Sequence, residues 1–114
     1  MGDGSFGFAV GELETAKRLN LPIIFVVISN SVYGWIKAGQ KSSFNKRYYS
    51  VDFSRTDHAK VASSYGVKTW TVKKPSGLKK IISKAIKYKK GPCLIDIISQ
   101  PLEEAKAPVS EWIA

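Results

Sequence analysis

A short apolar run, Pro22 to Ile28, sets the tightest limit on the fold, and it ends in Ser29-Asn30. Its residues are rich in β-branching and apolar at every position, so a strand formed here is apolar on both faces. We therefore predict a central strand of a parallel sheet over residues 23–28. The run is far shorter than the roughly 20 apolar residues that span a membrane, so no membrane partner is expected.

The chain begins with two glycines that flank a carboxylate, in Gly2-Asp3-Gly4. Ser5 follows as a predicted N-cap, because apolar residues then recur at helical spacing as far as Leu19. We expect one helix here, closed at Asn20. A glycine turn that leads into a helix N-terminus is suited to phosphate, because unpaired amides and the helix dipole both point at the ligand.

Asp3 and Asn30 add oxygen ligands to this turn. Mg²⁺ takes few protein oxygens and fills its octahedron with phosphate oxygens and water. If strand, helix and strand form one βαβ unit, both residues emerge at the carboxyl edge of a parallel sheet, where such sheets bind ligands. The alternative is an ordinary Gly-Asp-Gly turn with no ligand. The helix, the apolar strand and the terminal Asn30 favour a metal–diphosphate site.

This arrangement resembles the diphosphate-binding domain of thiamine-diphosphate enzymes, the group that contains acetolactate synthase, benzoylformate decarboxylase and pyruvate decarboxylase. The family motif runs from GDG to a terminal Asn-Asn, where this chain has Ser29-Asn30. Later segments match in the same order. They are Asp52-Phe53, the pattern Asp57, Ala59, Ala62, Gly66, and the run Gly91-Pro92-Cys93-Leu94-Ile95-Asp96.

The resemblance implies a ligand set. Asp3 and Asn30 hold Mg²⁺ through side chains and Val32 through its backbone carbonyl. The residues expected to contact the thiamine diphosphate are Gly2, Gly4, Ser5, Tyr33 and Gly34.

The implied fold is α/β, a three-layer αβα domain with a mainly parallel sheet. The implied activity is decarboxylation or carboligation of a 2-oxo acid. At the position of a Trp in the substrate channel of acetolactate synthase, this chain has Gly39, so the cofactor class is better founded than the reaction.

Only the later part of the family's third domain is matched. We expect residues 1–100 to be an incomplete cofactor-binding domain that lacks its N-terminal βα units, with a C-terminal tail over 101–114 in which Trp112 is a candidate anchor. The glutamate that activates the cofactor in the family comes from another domain, which has no counterpart here. We therefore expect no activity from the chain alone, and either a homo-oligomer or a partner chain that supplies the missing domains. The single Cys93 suits a buried core position and a cytoplasmic setting.

The remaining residues predict further elements. A helix begins near Asp57, which is predicted as its N-cap or a first-turn residue, and ends at Gly66, with His58 exposed in its first turn. A strand covers 67–72, and a helix with a clean apolar stripe follows Pro75. The last core strand is 93–98. Residues 31–40 are predicted as a turn into a short helix, and 41–56 as a long loop.

The charge suggests a different class of function. Of the 18 Lys and Arg residues, 15 lie between Lys37 and Lys90, and a basic stripe with interleaved aromatics can be a nucleic-acid surface. Most of these lysines, however, fall opposite the apolar stripe of the helix after Pro75, as on any solvated helix face. A nucleic-acid-binding or other non-catalytic basic fragment is thus the alternative interpretation, and the cofactor-binding one is favoured.

Overall fold

Residues 1–101 are described by a computed structural model of the chain. Its helices are α1 (Asp3–Ala9), α2 (Glu12–Arg18), α3 (Gly34–Ser43), α4 (His58–Ser64) and α5 (Leu78–Lys87), the last preceded by a 3₁₀ turn at Pro75–Gly77. Its strands are β1 (Ile24–Ser29), β2 (Lys68–Val72) and β3 (Cys93–Ile98). By their contacts these residues fall into two compact units. The first comprises Met1–Ser29 and Asp57–Ser99, and the second comprises Asn30–Thr56 with Gln100 and Pro101.

The three strands of the first unit form a sheet of order β1-β3-β2, in which both pairings are parallel. The predicted parallel sheet is therefore confirmed. The expectation that the strand after Pro22 is central was wrong. The centre is β3, whose first four residues are buried, while β1 has alternating buried and exposed residues near its end. On the outer side of β1, Gly2 forms a parallel bridge with Ile28.

Apolar residues pack on both faces of this sheet. On one face a cluster joins α1, α2 and α4 to the strands; its buried members are Phe6, Leu13, Val27, Ala62, Val67 and Leu94. On the other face α5 packs on β2 and β3 in a second cluster around Val72, Ala85, Cys93 and Ile95. Because Leu94 belongs to the first cluster and its neighbours to the second, β3 is covered on both sides. The αβα layering expected from the sequence is confirmed.

The first predicted helix is divided in two. α1 ends at Ala9 and α2 begins at Glu12, and the turn between them is held by short-range bonds from the Leu13 and Glu14 amides to the Val10 and Gly11 carbonyls. Glycine has a low helix propensity, and Gly7 and Gly11 weaken the helix where it breaks. The N-cap is Gly2 rather than Ser5, which lies inside α1.

The C-terminal half agrees better with the sequence. The Asp57 side chain caps α4 by accepting a bond from the Lys60 amide at 2.9 Å, and Gly66 follows the helix with φ of 74°. The prediction for His58 was wrong, since its side chain is buried at 6% exposure. It lies edge-on to Phe6 with ring centroids 5.4 Å apart, so the apolar core has taken up the imidazole. The expected Trp112 anchor lies outside the described residues.

In the second unit, α3 is longer than the predicted short helix and leaves a loop from residue 44. That loop is tied to the helix through Gln40, whose side chain accepts from the Tyr49 amide at 3.0 Å and donates to the Tyr49 carbonyl at 3.2 Å. Asn45, Lys46 and Ser50 adopt positive φ, a costly conformation for residues other than glycine. The predicted loop is therefore confirmed from residue 44 onward, and these contacts give it a defined conformation.

Candidate cofactor site

The glycine turn at the beginning of the chain continues the sheet into a helix. Gly2 is extended, with φ of −75° and ψ of 160°, and pairs with Ile28 near the carboxyl end of β1. The next residue, Asp3, opens α1. Parallel strands place their carboxyl ends at one edge, so the Asp3 carboxylate emerges at the edge where β1 also ends. The sequence predicted a glycine turn that leads into a helix, and the structure has this turn with the helix beginning earlier, at Asp3.

Asp3 lies in the first turn of α1, and its burial is unusual for an aspartate there, since it is only 4% exposed. Its Oδ1 accepts a hydrogen bond from the Gly4 amide at 3.0 Å. A carboxylate buried to this degree requires compensating partners, and each carboxylate oxygen can accept more than one bond. A buried carboxylate is thus held at the beginning of α1.

Gly2 has no structural need to be glycine. Its φ is negative, and a Cβ built on it would meet no atom within 4 Å. Conformational freedom and tight internal packing, the usual reasons for glycine, are both absent at this position among the described residues. The open space beside the Gly2 backbone is compatible with the ligand contact predicted there.

The second group of predicted residues follows β1 directly and lies in the second unit. The Asn30 side-chain oxygen accepts from the Val32 amide at 3.3 Å, and Ser31 between them has φ of 59°. This is an Asx turn, in which a side-chain oxygen takes the place of a backbone carbonyl. The turn fixes the position of the Asn30 side chain directly after β1.

Val32 is buried and pairs with Asp52 in an isolated antiparallel bridge. The bonds of that bridge use the Ser31 carbonyl and the Tyr33 amide, which bond to Phe53 and Val51. The Val32 carbonyl takes no part in them. The position predicted to offer a backbone oxygen is therefore rigidly placed, and its carbonyl is not consumed by the bridge.

Tyr33 and Gly34 form the beginning of α3. The Tyr33 ring lies against Phe53 with centroids 5.0 Å apart, so at least one of its faces is used for packing. Behind it, Lys37 Nζ pairs with Asp52 Oδ1 at 2.8 Å and lies 5.1 Å from the Tyr48 ring centroid. These contacts fix the direction of α3 within its unit. Trp35, by contrast, is 73% exposed.

The predicted ligands are a carboxylate in the first unit, and a side-chain amide and a backbone carbonyl in the second. All are hard oxygen ligands of the kind that Mg²⁺ prefers. Within residues 1–101 there is no group of three or more His, Cys, Asp or Glu side chains able to hold a metal, so a site rich in imidazole or thiolate is not offered there. The residues present fit Mg²⁺ that completes its shell with phosphate oxygens and water.

Sequence reasoning missed one buried polar pair beside this site. Ser29, the last residue of β1, donates from Oγ to Asp96 Oδ1 on β3 at 2.5 Å, and both are buried. An aspartate inside the apolar run 93–98 was the available signal, because a buried carboxylate in a central strand requires a partner. Separately, no helix in the described part of the chain has the length and apolar character needed to cross a bilayer.

Comparison with known proteins gives a consistent result. A family model described as "Thiamine pyrophosphate enzyme, C-terminal TPP binding domain" matches residues 1–97. Acetolactate synthase of Bacillus subtilis (strain 168) is 36% identical over 96 residues, covering 84% of this chain and 16% of that protein. Mouse 2-hydroxyacyl-CoA lyase 1 is 28% identical over an alignment covering 98% of this chain and 21% of that protein.

Solved structures show the same relationship. Benzoylformate decarboxylase from Polynucleobacter necessarius superposes with a TM-score of 0.81 at 27% identity, over 89% of this chain and 19% of that one. A thiamine diphosphate-dependent 4-hydroxybenzoylformate decarboxylase from Rhodococcus jostii RHA1, at 22% identity and a TM-score of 0.82, supports the fold alone. The chain thus spans about a fifth or less of the length of these proteins.

Proposed function

This chain belongs to the thiamine pyrophosphate enzyme family, as its C-terminal TPP-binding domain, and we propose that it anchors the cofactor diphosphate through Mg²⁺. The enzyme to which it contributes is a 2-oxo acid decarboxylase or carboligase similar to acetolactate synthase. The observation that carries this proposal is the buried Asp3 carboxylate at the first turn of α1, directly after a glycine paired with β1.

Each proposed ligand has a role that follows from its chemistry. Asp3 and Asn30 bind Mg²⁺ through side-chain oxygens, and Val32 binds it through the backbone carbonyl. Gly2, Gly4 and Ser5 contact the diphosphate, and the open space beside Gly2 permits a close approach. Tyr33 and Gly34 complete the cofactor contacts at the beginning of α3.

When bound, thiamine diphosphate supplies an electron sink for the loss of CO₂ from a 2-oxo acid. The residues of this chain bind and orient. Asp3 neutralises part of the metal charge, and the Asx turn of Asn30 presents its oxygen without a large loss of conformational entropy. The buried Ser29–Asp96 pair holds the strand end from which Asn30 emerges.

The proposal includes dependence on further domains, because the matched proteins are about five times longer or more. In this proposal a partner chain supplies those domains, or the enzyme is a homo-oligomer whose subunits carry them. We expect no decarboxylase or carboligase turnover from the purified chain by itself. A cytosolic setting is part of the same proposal, supported by a buried free thiol at Cys93.

The test is isothermal titration of thiamine diphosphate into the purified chain, with Mg²⁺ and then with excess EDTA. We expect binding that requires the metal and is lost in Asp3→Ala. Glu14→Ala is the matched control, since it removes an exposed carboxylate from the neighbouring helix α2 and leaves the site intact. Metal-independent binding, or equal affinity in Asp3→Ala, contradicts the ligand assignment. No binding by the wild-type chain contradicts a diphosphate site contained within these residues.

A further inference from the structure

The surface around α5 carries charge of one sign. Eight lysines lie between residues 73 and 90, and all eight are exposed. No Asp or Glu occurs from His58 to Ile95, and the next carboxylate in the sequence, that of Asp96, is buried. None of the eight lysines forms an ion pair within residues 1–101. We call these eight side chains the α5 lysine surface.

The helices on the opposite face of the sheet have a different distribution of charge. Arg18 Nε of α2 bonds to Glu14 Oε1 at 2.9 Å, and Lys60 Nζ of α4 lies 3.9 Å from Oδ2 of its capping residue, Asp57. Basic groups there have acidic neighbours, whereas those around α5 have none within the described part of the chain. The positive potential of the first unit is therefore concentrated on the side of α5.

Three lysines of α5 form a row along the helix. Lys80, Lys84 and Lys87 are spaced i, i+4 and i+7, and at 100° per residue they fall within about 60° of one another. They lie on the solvent side, away from the buried Ala85. Since a helix rises about 1.5 Å per residue, the row extends over about 10 Å of the helix axis.

This arrangement is unfavourable for the helix itself. Like charges three and four residues apart destabilise a helix. Lys79 and Lys80 also lie in the first turn of α5, where the helix dipole disfavours cations and where no acidic residue occurs. In α2, by contrast, acidic residues occupy the first turn and basic residues the last. Conflicts of this kind with local stability are expected where a surface has a function.

The chemistry of the row indicates what kind of anion it fits. The apolar stripe of α5 packs against β2 and β3, so it is not available for insertion into a bilayer as in an amphipathic membrane helix. The row has no aromatic or apolar anchor of the kind on which protein interfaces depend, nor a ring on which the bases of a single strand could stack. Along B-form DNA, one strand carries a phosphate about every 3.4 Å, so 10 Å holds about three phosphates, one for each lysine.

We propose that the α5 lysine surface binds the phosphate backbone of duplex DNA, independently of base sequence. In this complex Lys80, Lys84 and Lys87 each neutralise one phosphate of a strand. The α5 lysine surface contains no proposed ligand of Mg²⁺ or of the cofactor diphosphate, so the proposal does not depend on cofactor binding.

The test is fluorescence anisotropy of a labelled duplex of about 20 base pairs, titrated with the full chain at several salt concentrations between about 50 and 200 mM. The logarithm of the binding constant should fall linearly with that of the salt concentration, with a slope of about −3 or steeper, because each neutralised phosphate contributes about −0.9. Lys80→Gln/Lys84→Gln should weaken binding at least about tenfold at the lowest salt and reduce the slope by about 2. Lys17→Gln/Lys60→Gln is the matched control, since it removes the same charge from exposed positions of α2 and α4 and should leave the slope unchanged.

The salt slope distinguishes loss of phosphate contacts from a general loss of folded protein, which lowers the apparent affinity at every salt concentration alike. Absence of binding by the wild-type chain at the lowest salt overturns the proposal. Equal changes of slope in the two double variants also overturn it, because binding then follows net charge and not the α5 lysine surface. Competition supplies the last arm. If polyglutamate or phosphatidylserine vesicles displace the labelled duplex at a lower anion concentration than unlabelled duplex does, an acidic polypeptide or a membrane is the partner and the proposal is wrong.

Discussion

The Ser29 hydroxyl donates to the Asp96 carboxylate at 2.5 Å across the β1–β3 pair, and the two residues are 3% and 1% exposed. The Ser29 carbonyl also accepts from the Ser99 amide at 3.0 Å. The last residue of β1 is therefore fixed by both its side chain and its backbone. Since Asn30 follows directly, the geometry of the proposed metal ligand depends on this pair.

Removal of the Ser29 hydroxyl should lower the free energy of unfolding. Ser29→Ala leaves a buried carboxylate oxygen without its donor, and we expect the free energy of unfolding to fall by about 1–3 kcal/mol, measured by urea denaturation. The double variant Ser29→Ala/Asp96→Val removes both polar groups, and it should lose clearly less than the sum of the two single variants. Additive losses would show that the two side chains are not coupled in the folded protein.

His58 offers a substitution that should stabilise the chain. Its Nε2 is buried and has no hydrogen-bond partner among the described residues, while the ring packs edge-on against Phe6. His58→Phe keeps an aromatic ring and removes the unsatisfied nitrogen, so we expect the free energy of unfolding to rise by about 1 kcal/mol. His58→Gln, which retains a polar group, should give no gain. A less stable His58→Phe chain would mean that Nε2 is satisfied in solution.

Gly91 and Gly77 form a matched pair for a backbone test. Gly91 has φ of 125°, and a Cβ there would lie 2.6 Å from the Asn20 side-chain oxygen. Gly91→Ala should therefore lower the free energy of unfolding by about 1–3 kcal/mol. Gly77 has φ of −81° and open space around it, so Gly77→Ala should be neutral or slightly stabilising. Thermal unfolding of the two variants in parallel distinguishes them; equal melting temperatures would contradict the strain at Gly91.

Cys93 should make the free energy of unfolding depend on pH in the alkaline range. Burial raises the pKa of its thiol, so the folded chain keeps the thiol neutral where the unfolded chain ionises it. Its contribution to stability is complete below the ordinary pKa of a thiol and is lost as the pH rises through the raised, folded-state value. Unfolding free energies of wild type and Cys93→Ala, compared between neutral and alkaline pH, isolate this group. Parallel pH profiles would contradict the prediction.

Much of the fold could be predicted because local chemistry and tertiary packing agree. The β-branched run before Asn30, the Asp57 cap and the glycine after α4 each specify a local structure that the core then retains. The division of the first helix has a local cause in its glycines, whereas the errors at His58 and in the position of β1 came from tertiary packing. Nothing local to His58 indicates that Phe6 packs against its ring. A strand that is apolar on both faces has the same sequence pattern whether its second face is buried or, as in β1 among the described residues, partly exposed.

The candidate site, like the fold, could be predicted from the sequence only in part. The glycine turn and Asn30 were visible as motifs, because their residue types are rare in that combination. The Ser29–Asp96 bond was not visible, since it links residues 67 positions apart and depends on which strand is central. Strand order is decided by long-range packing, which no local pattern reports.

The central position of β3 has a consequence for biosynthesis. β1 and β2 are both synthesised before β3, yet each pairs with β3 and not with the other. On the ribosome, the edge of β1 that pairs with β3 therefore has no partner until Cys93–Ile98 emerges. Such a non-local topology folds slowly and leaves strand edges exposed meanwhile. The yield of folded chain should consequently be sensitive to translation speed and to chaperone supply.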